Sequence, residues 1–363
     1  MEKQTLNLQA DKIEMVLAAH KAPVRVWGGR LTPRTVQFHL APAANTKLAR
    51  LEALTEEVAL ALGTPSARLT RMNGTLSLEV PRRDSRLVSL ADLDARIQND
   101  EQLRRIVTAA GTAILGLDSE GVPLLLRLSS PDVAHCLIAG TTGSGKTELA
   151  RTIIASLILH QKPRDLQLAL FDPKGRGLAP FESAPHLLCP IVADPDHTLA
   201  KMRYLVSEME RRDQLLVERP HIVVVVDELT DLLQVCGTEL ELLLTRLVQR
   251  GRGAGISVIA CTQKPTARAV GGLMKANFPV RLVGRVASTD DARVAAGIGG
   301  TGAEKLAGRG DFLLIAGGQI IRFQAALAQA SDFAALGAPS APLSDEKALD
   351  LGTRMVARLR RIK

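Results

Sequence analysis

The sequence predicts an α/β fold, a parallel sheet with flanking helices, preceded by a small α+β domain. Three observations predict it. From about residue 106, short β-branched runs alternate with helix-length stretches, the pattern of strands joined by crossover helices. The apolar run 135–139 leads directly into a glycine-rich octapeptide and then into a stretch with an apolar helical face at Leu149, Ile153, Leu157 and Ile158. Residues 222–226 are five consecutive aliphatics, which suits a strand covered on both faces.

The first 85 residues read as the small mixed domain. Residues 23–27 and 35–40 are β-branched and aromatic enough for strands. Residues 47–62 place Leu48, Leu51, Leu54, Val58 and Leu62 at helical spacing, and Gly63 is a stop signal. Short strands follow at 67–69 and 76–80. The charged stretch 86–105 reads as a connector. In the larger domain, 106–330, strands are expected at 134–139, 166–171, 222–226, 256–261 and 280–286, with 312–315 and 320–323 as a closing hairpin. The remainder, 331–363, reads as an Ala/Pro-rich linker and a basic helix over 346–363.

Composition narrows the classes. Of 363 residues, 46% are hydrophobic and 23% charged, which excludes a mainly disordered chain. The net charge of +8 permits an acidic partner. Aromatics make up only 2%, so stacking of unpaired bases is disfavoured and contact with a duplex backbone is favoured. The four cysteines lie far apart, with no disulfide framework or zinc spacing. No uninterrupted apolar window of membrane-spanning length occurs, so direct membrane insertion is not expected and a cytoplasmic location is.

The octapeptide Gly140-Thr141-Thr142-Gly143-Ser144-Gly145-Lys146-Thr147 matches G-x-x-x-x-G-K-[ST]. Glycines let successive backbone N–H groups converge on phosphate oxygens, and the helix that follows directs its positive end at the same anion. Lys146 is suited to neutralise the β- and γ-phosphates of ATP, and the Thr147 hydroxyl to ligate Mg²⁺. The second signal is the acidic pair Asp227-Glu228 at the end of the aliphatic strand. Asp227 suits the same Mg²⁺, and Glu228 a general base for an attacking water. Gln263, just past the strand at 256–261, is placed to sense the γ-phosphate.

Quoted in order, residues 135–147 (HCLIAGTTGSGKT), 171–174 (FDPK), 208–212 (EMERR), 222–229 (IVVVVDEL), 253–265 (GAGISVIACTQKP), 272–279 (GLMKANFP) and 302–311 (GAEKLAGRGD) make the chain resemble the FtsK/SpoIIIE DNA translocases. Residues 60–66 (LALGTPS) and 79–81 (EVP) resemble the α domain of that family, and 106–330 its RecA-like P-loop motor. The resemblance implies a homo-oligomeric, hexameric ring that threads double-stranded DNA by ATP hydrolysis between subunits. It places Lys146 and Thr147 at the Walker A positions, Asp227 and Glu228 at the Walker B positions, and Gln263 at the sensor. Arg293 matches the arginine best placed to reach a neighbour's nucleotide, with Arg281, Arg285 and Arg309 as rivals. Duplex contacts are expected from Lys305, Arg309, Lys264 and Arg268, and the basic 346–363 helix is a candidate dock for a protein partner.

The chain departs from the pattern in carrying no transmembrane stretch and too few residues after 330 for a winged helix. It also continues the DPK segment as Gly175-Arg176-Gly177, where bulkier residues are expected. The competing readings are a ring ATPase that moves protein, of the secretion type, and a nucleotide-dependent assembly switch.

Overall fold

The computed structural model describes residues 2–32, 34–72, 74–82, 87–263 and 277–334. The chain divides into two compact units, Met1–Leu87 and Val88–Lys363.

In the first unit, helix α1 (Glu2–Ala19) precedes strands β1 (Val24–Leu31) and β2 (Thr35–Pro42), helices α2 (Leu48–Ala53) and α3 (Thr55–Leu62), and strands β3 (Arg68–Met72) and β4 (Thr75–Pro81). The sheet is antiparallel throughout, in the order β1-β2-β4-β3. Ile13 and Leu17 of α1, Leu51, Val58 and Leu62 of the helical pair, and Phe38, Leu40, Leu78 and Val80 of the sheet form its core. The stretch expected as one helix over 47–62 is two. Leu54 leaves helical geometry (φ −97°, ψ 7°), and the Thr55 hydroxyl donates to the Glu52 carbonyl there. The apolar face still runs across the break, which is why spacing alone does not show it. Gly63 ends α3 in the left-handed conformation, as a C-terminal stop requires.

The second unit begins with a correction. Residues 86–105, read as a connector, carry helices α4 (Leu90–Gln98) and α5 (Glu101–Val107). Ser89 and Asp100 cap them, accepting from Asp92 N–H and from Gln102 and Leu103 N–H. Leu90, Leu93, Ile97 and Val107 are buried in the main core. The charges that suggested a connector occupy the opposite faces. The hairpin β5 (Thr112–Asp118) and β6 (Pro123–Arg127) follows. Then come β7 (Cys136–Ala139), α6 (Lys146–His160), β8 (Leu166–Phe171), α7 (Pro195–Leu215), β9 (His221–Val226), α8 (Leu229–Arg250), β10 (Ile256–Thr262), β11 (Val280–Val283), α9 (Thr289–Ala296), β12 (Asp311–Ala316), β13 (Gln319–Ala325) and α10 (Ala330–Ala334). The strand expected over 280–286 thus stops at Val283.

The nine strands form one sheet in the order β6-β5-β13-β12-β11-β7-β10-β9-β8. From β11 to β8 it is parallel; from β12 outward it is antiparallel. The aliphatic run of β9 is divided by the pleat. Val223 and Val225 pack with α6, while Ile222, Val224 and Val226 pack with α7 and α8. Burial on both faces explains why the run 222–226 is apolar at every position. Strand β10 lies between β7 and β9, so the glycine-rich loop and the acidic pair emerge at the same sheet edge, one strand apart.

Two histidines are buried at the opposite ends of those strands. His135 Nδ1 accepts the Val258 N–H at 3.1 Å, and His221 Nε2 lies 3.0 Å from the Ser257 hydroxyl. Burial, and then the neighbouring His221 charge, pushes His135 down to about 4; burial and the Arg212 guanidinium do the same to His221. Both are neutral in the fold, whereas the unfolded chain protonates below the ordinary value of 6.5. Stability is therefore complete above that value and falls as pH drops toward 4. At about 1.4 kcal/mol per unit, each histidine costs roughly 2 kcal/mol at pH 5. Urea midpoints at pH 7.5 and 5.0 check this: the His221→Gln chain should show a shallower pH slope than wild type, and an equal slope would refute it.

Candidate active site

The octapeptide spans the gap between β7 and α6. Gly145 is left-handed (φ +97°), and a Cβ there would come within 2.7 Å of the Gly310 nitrogen. Glycine is required at that position both by conformation and by close approach. The loop is braced from both sides. Gly140 N–H donates to the Thr262 carbonyl at 3.1 Å, and Thr141 N–H and hydroxyl both donate to the Arg285 carbonyl. Arg309 N–H and Gly310 N–H donate to the carbonyls of Gly143 and Ser144 at 2.9 and 2.7 Å. The segment 307–310 is fixed in turn by Asp311, which accepts from Ala307 N–H and takes a bidentate contact from Arg322. Four of the octapeptide's backbone carbonyls and amides, and one hydroxyl, are thus committed to bracing partners.

Lys146, the first residue of α6, is buried. Its Nζ lies 3.3 Å from Asp227 Oδ1 and 3.7 Å from Glu228 Oε2. Burial alone would depress the ammonium, but the Asp227 and Glu228 carboxylates around it outweigh that and hold it above the ordinary lysine value. Cys261 is pushed upward by burial and stays a neutral thiol. Lys146 therefore remains a cation inside the protein, positioned to exchange these carboxylates for a phosphate.

Glu228 caps α8 with a left-handed backbone (φ 61°, ψ 63°), a conformation non-glycine residues rarely adopt and one that concentrates at functional sites. The turn aims the side chain back toward the loop. Its Oε1 accepts the Gln263 N–H at 3.1 Å. Its Oε2 is buried and has no hydrogen-bond partner among the described residues. Gln263 ties the two motifs together, since its side-chain Oε1 also accepts from the Thr142 hydroxyl at 3.2 Å.

A third segment completes the site. After β8, the buried Asp172 carboxylate accepts from the N–H groups of Lys174 and Leu178, and Arg151 of α6 donates to the carbonyls of Arg176 and Gly177. These bonds press Gly177 against the site: a Cβ on it would meet Asp227 Oδ2 at 2.4 Å and Thr147 Cγ2 at 3.4 Å. Glycine at 177 has its reason here, because a bulkier residue would displace Asp227. Lys174 points to the same centre, with Nζ 3.6 Å from Glu228 and 3.1 Å from Asp231.

Thr147 and Asp227 both lie against Gly177 and offer only hard oxygen donors, the donor type Mg²⁺ takes while keeping several waters. An orphaned buried carboxylate oxygen faces two ammonium groups beside a braced anion loop. This donor set fits a magnesium-bound nucleoside polyphosphate.

A model of the FtsK/SpoIIIE family matches residues 96–219, and a model of the FtsK alpha domain matches residues 1–82. The chain is 33% identical over 347 residues to the DNA translocase FtsK of Sporosarcina ureae and 34% identical over 346 residues to that of Staphylococcus aureus strain Mu50. The chain belongs to the FtsK/SpoIIIE family. Each alignment takes in 87% of the chain, but the chain spans less than half the length of these relatives, 43% and 42%. Among solved structures, the pCW3 conjugation coupling protein TcpA in its monomer form with ATPγS superposes with a TM-score of 0.61 at 18% identity, covering 95% of this chain and 99% of that one. The cytoplasmic domain of the type VII secretion ATPase EccC from Thermomonospora curvata gives 0.54 at 23% identity, over 66% of this chain and 31% of that one. Both are likenesses of fold, and they make this a P-loop ATPase fold.

Within this family member the sequence-derived residues fall into three groups. Lys146, Asp227, Glu228, Gln263 and the loop Gly140 to Thr147 converge at one place. Arg293 and Lys305 do not join them. Arg293 is exposed on α9, 3.7 Å from Asp290, and Lys305 is exposed in the turn after it. Arg309 is exposed too, but its backbone braces the phosphate loop. Of the rival arginines, Arg281 is turned inward, donating to the carbonyls of Phe278 and Ala295, and burial lowers it. Arg285 lies beside Gly308 of the same chain. Lys264, Arg268 and the basic 346–363 helix lie outside the described residues. Among the described residues no helix is long and apolar enough to cross a membrane.

Proposed function

We propose that this chain is an ATP-driven translocase of double-stranded DNA that works as a ring-shaped homo-oligomer, a hexamer, and grips the phosphate backbone without reading sequence. The observation that carries the reading is the buried Lys146, Asp227 and Glu228 cluster beside a braced anion loop. That cluster supports hydrolysis of a nucleoside triphosphate, and the relatives named DNA translocase FtsK supply the class of substrate moved.

In the proposed reaction the loop N–H groups and Lys146 bind the β- and γ-phosphates. Glu228 Oε2 accepts a proton from a water as its oxygen bonds to the γ-phosphorus, while the bridging bond to ADP breaks. Gln263 holds Glu228 through its N–H and reaches the loop through its side chain, a link suited to sensing the γ-phosphate. Thr147 and Asp227 would hold Mg²⁺, whose part is to neutralise charge building on the phosphate oxygens. Arg293, exposed on its helix, is proposed to act on the nucleotide of an adjacent subunit. Lys305 and Arg309, with Lys264 and Arg268, are proposed to meet the duplex. The Arg309-Gly310 backbone bonds to Gly143 and Ser144 give that contact a short route to the phosphate loop.

The decisive measurement is ATP turnover against DNA concentration, with duplex and single-stranded oligomers of equal length, at two salt levels and several protein concentrations. Duplex should stimulate most and without regard to sequence. Stimulation should weaken steeply with salt, since each phosphate contact releases condensed counterions. Turnover per subunit should rise with protein concentration, since the site is shared between subunits. Equal stimulation by single strands, or no salt effect, refutes the duplex reading. ATP turnover indifferent to any DNA moves the protein-moving and switch readings ahead.

A further inference from the structure

Lys174 has no part in the reaction as described above, yet its ammonium reaches the two carboxylates that flank the start of α8. The contacts are 3.6 Å to Glu228 Oε2 and 3.1 Å to Asp231 Oδ2. We propose that Lys174 is a positioning residue that anchors the Glu228 carboxylate when Lys146 turns to the nucleotide. This rests on the ATPase reading of the site.

The argument begins with the geometry of Glu228. Its Oε1 is fixed by the Gln263 N–H, but its Oε2, the oxygen left for a water, is held by no hydrogen bond. Among the described residues two cations face it, Lys146 at 3.7 Å and Lys174 at 3.6 Å. Lys146 serves the acids and the phosphate loop from one position, and a bound triphosphate draws it away from the carboxylates. Glu228 then faces Asp227, Asp231 and a polyanion with one cation removed. A buried carboxylate in that setting is repelled from the phosphates and is free to rotate off line. Lys174 is the cation that stays.

Its construction suits that task. The backbone of Lys174 is pinned by the Asp172 carboxylate, and the rest of its loop by Arg151. Asp231, one turn along α8 from Glu228, takes the ammonium on its outer side and keeps it at the rim. Burial opposes the charge, but the hydrogen bond to Asp231 and the Glu228 and Asp231 charges together outweigh it and hold Lys174 above the ordinary lysine value. Its side chain is half exposed, so it can follow Glu228 without unpacking the core.

The test compares wild type, Lys174→Met, Lys174→Arg, Glu228→Gln and the Lys174→Met/Glu228→Gln pair in the full chain. ATP turnover is measured with duplex DNA, and equilibrium binding with AMPPNP and with ADP–aluminium fluoride, mimics of ground state and transition state. A group that acts through the base lowers kcat and leaves KM nearly alone. Lys174→Met should lower kcat and ADP–aluminium fluoride affinity by about tenfold while AMPPNP affinity stays within about twofold. Lys174→Arg should restore most of the loss, since it keeps the cation. In the Glu228→Gln background the same change should cost less than about twofold, because the group it positions is gone.

Wild-type kcat and fluoride-complex affinity in Lys174→Met overturn the proposal. So does a full loss that persists in the Glu228→Gln background, or a parallel loss of AMPPNP binding that arginine does not rescue. If wild type binds both analogues but turns over no ATP, the ATPase reading fails while the binding comparison still decides Lys174. A wild type that binds neither analogue overturns both.

Discussion

Glu228→Gln should bind ATP at least as tightly as wild type and hydrolyse it at least about 100-fold more slowly. The amide is nearly isosteric with the carboxylate. Its oxygen still accepts the Gln263 N–H, so the link between the two motifs survives. The left-handed turn at residue 228 depends on the backbone and on Leu229 and Leu232 packing behind it, and these are unchanged. What disappears is, among the described residues, the one buried carboxylate oxygen of the site without a hydrogen-bond partner, the atom able to take a proton from water. One negative charge facing Lys146 disappears with it. Asp227 at 3.3 Å then has the ammonium to itself, and the phosphates compete with one carboxylate where they competed with two. Tighter binding with slower chemistry follows from the same substitution. Single-turnover hydrolysis and titration with a fluorescent nucleotide measure the two effects separately. Wild-type turnover in this variant would remove Glu228 from the chemistry, and loss of binding would show that it holds the nucleotide.

The parts of this site legible in the sequence are those where one segment carries both the chemistry and its scaffold. The octapeptide announces its strand, its turn and its helix within a single window, and the Asp227-Glu228 pair follows a run of aliphatics whose burial on both faces is written at every position. Gln263 was legible for a related reason, since it ends a strand of the same kind. What lay hidden depends on partners remote in sequence. Nothing around Lys174 reveals that Asp172 and Arg151 turn it toward Glu228. Nothing in GAEKLAGRGD reveals that two of its backbone N–H groups support the phosphate loop, although its glycine spacing hints at close approach. The helices of 86–105 were obscured because their charged faces outnumber three apolar contacts, Leu90, Leu93 and Ile97, whose i, i+3, i+7 spacing was the available signal. The antiparallel β5–β6 hairpin is hidden for another reason: β5 is buried over residues 112–116 and β6 is a half-buried edge strand, so neither shows a clean alternation.

Gly177→Ala is expected to lower magnesium-dependent turnover by about 10- to 100-fold with little change in fold stability, the scale seen when a group that orients a metal ligand is disturbed. The backbone at this position carries no strain that glycine alone relieves, so the cost comes from contact. An added Cβ would stand 2.4 Å from Asp227 Oδ2, well inside any tolerable separation. The loop cannot withdraw, because Arg151 holds the carbonyls of Arg176 and Gly177 and Asp172 holds Leu178 N–H. Asp227 must therefore turn, and turning loosens its Oδ1 from Lys146. The carboxylate proposed to hold the metal and the lysine proposed to hold the phosphate shift together. Gly175→Ala, two residues away, separates contact from strain. Gly175 is left-handed (φ +62°) with open space where a Cβ would go, so alanine there should cost about 1 kcal/mol of stability and leave Asp227 in place. Metal titrations of turnover, read beside urea midpoints, should show a raised magnesium requirement only for Gly177→Ala and lowered stability mainly for Gly175→Ala. Matching metal curves for the two variants would mean that Gly177 does not set the position of Asp227.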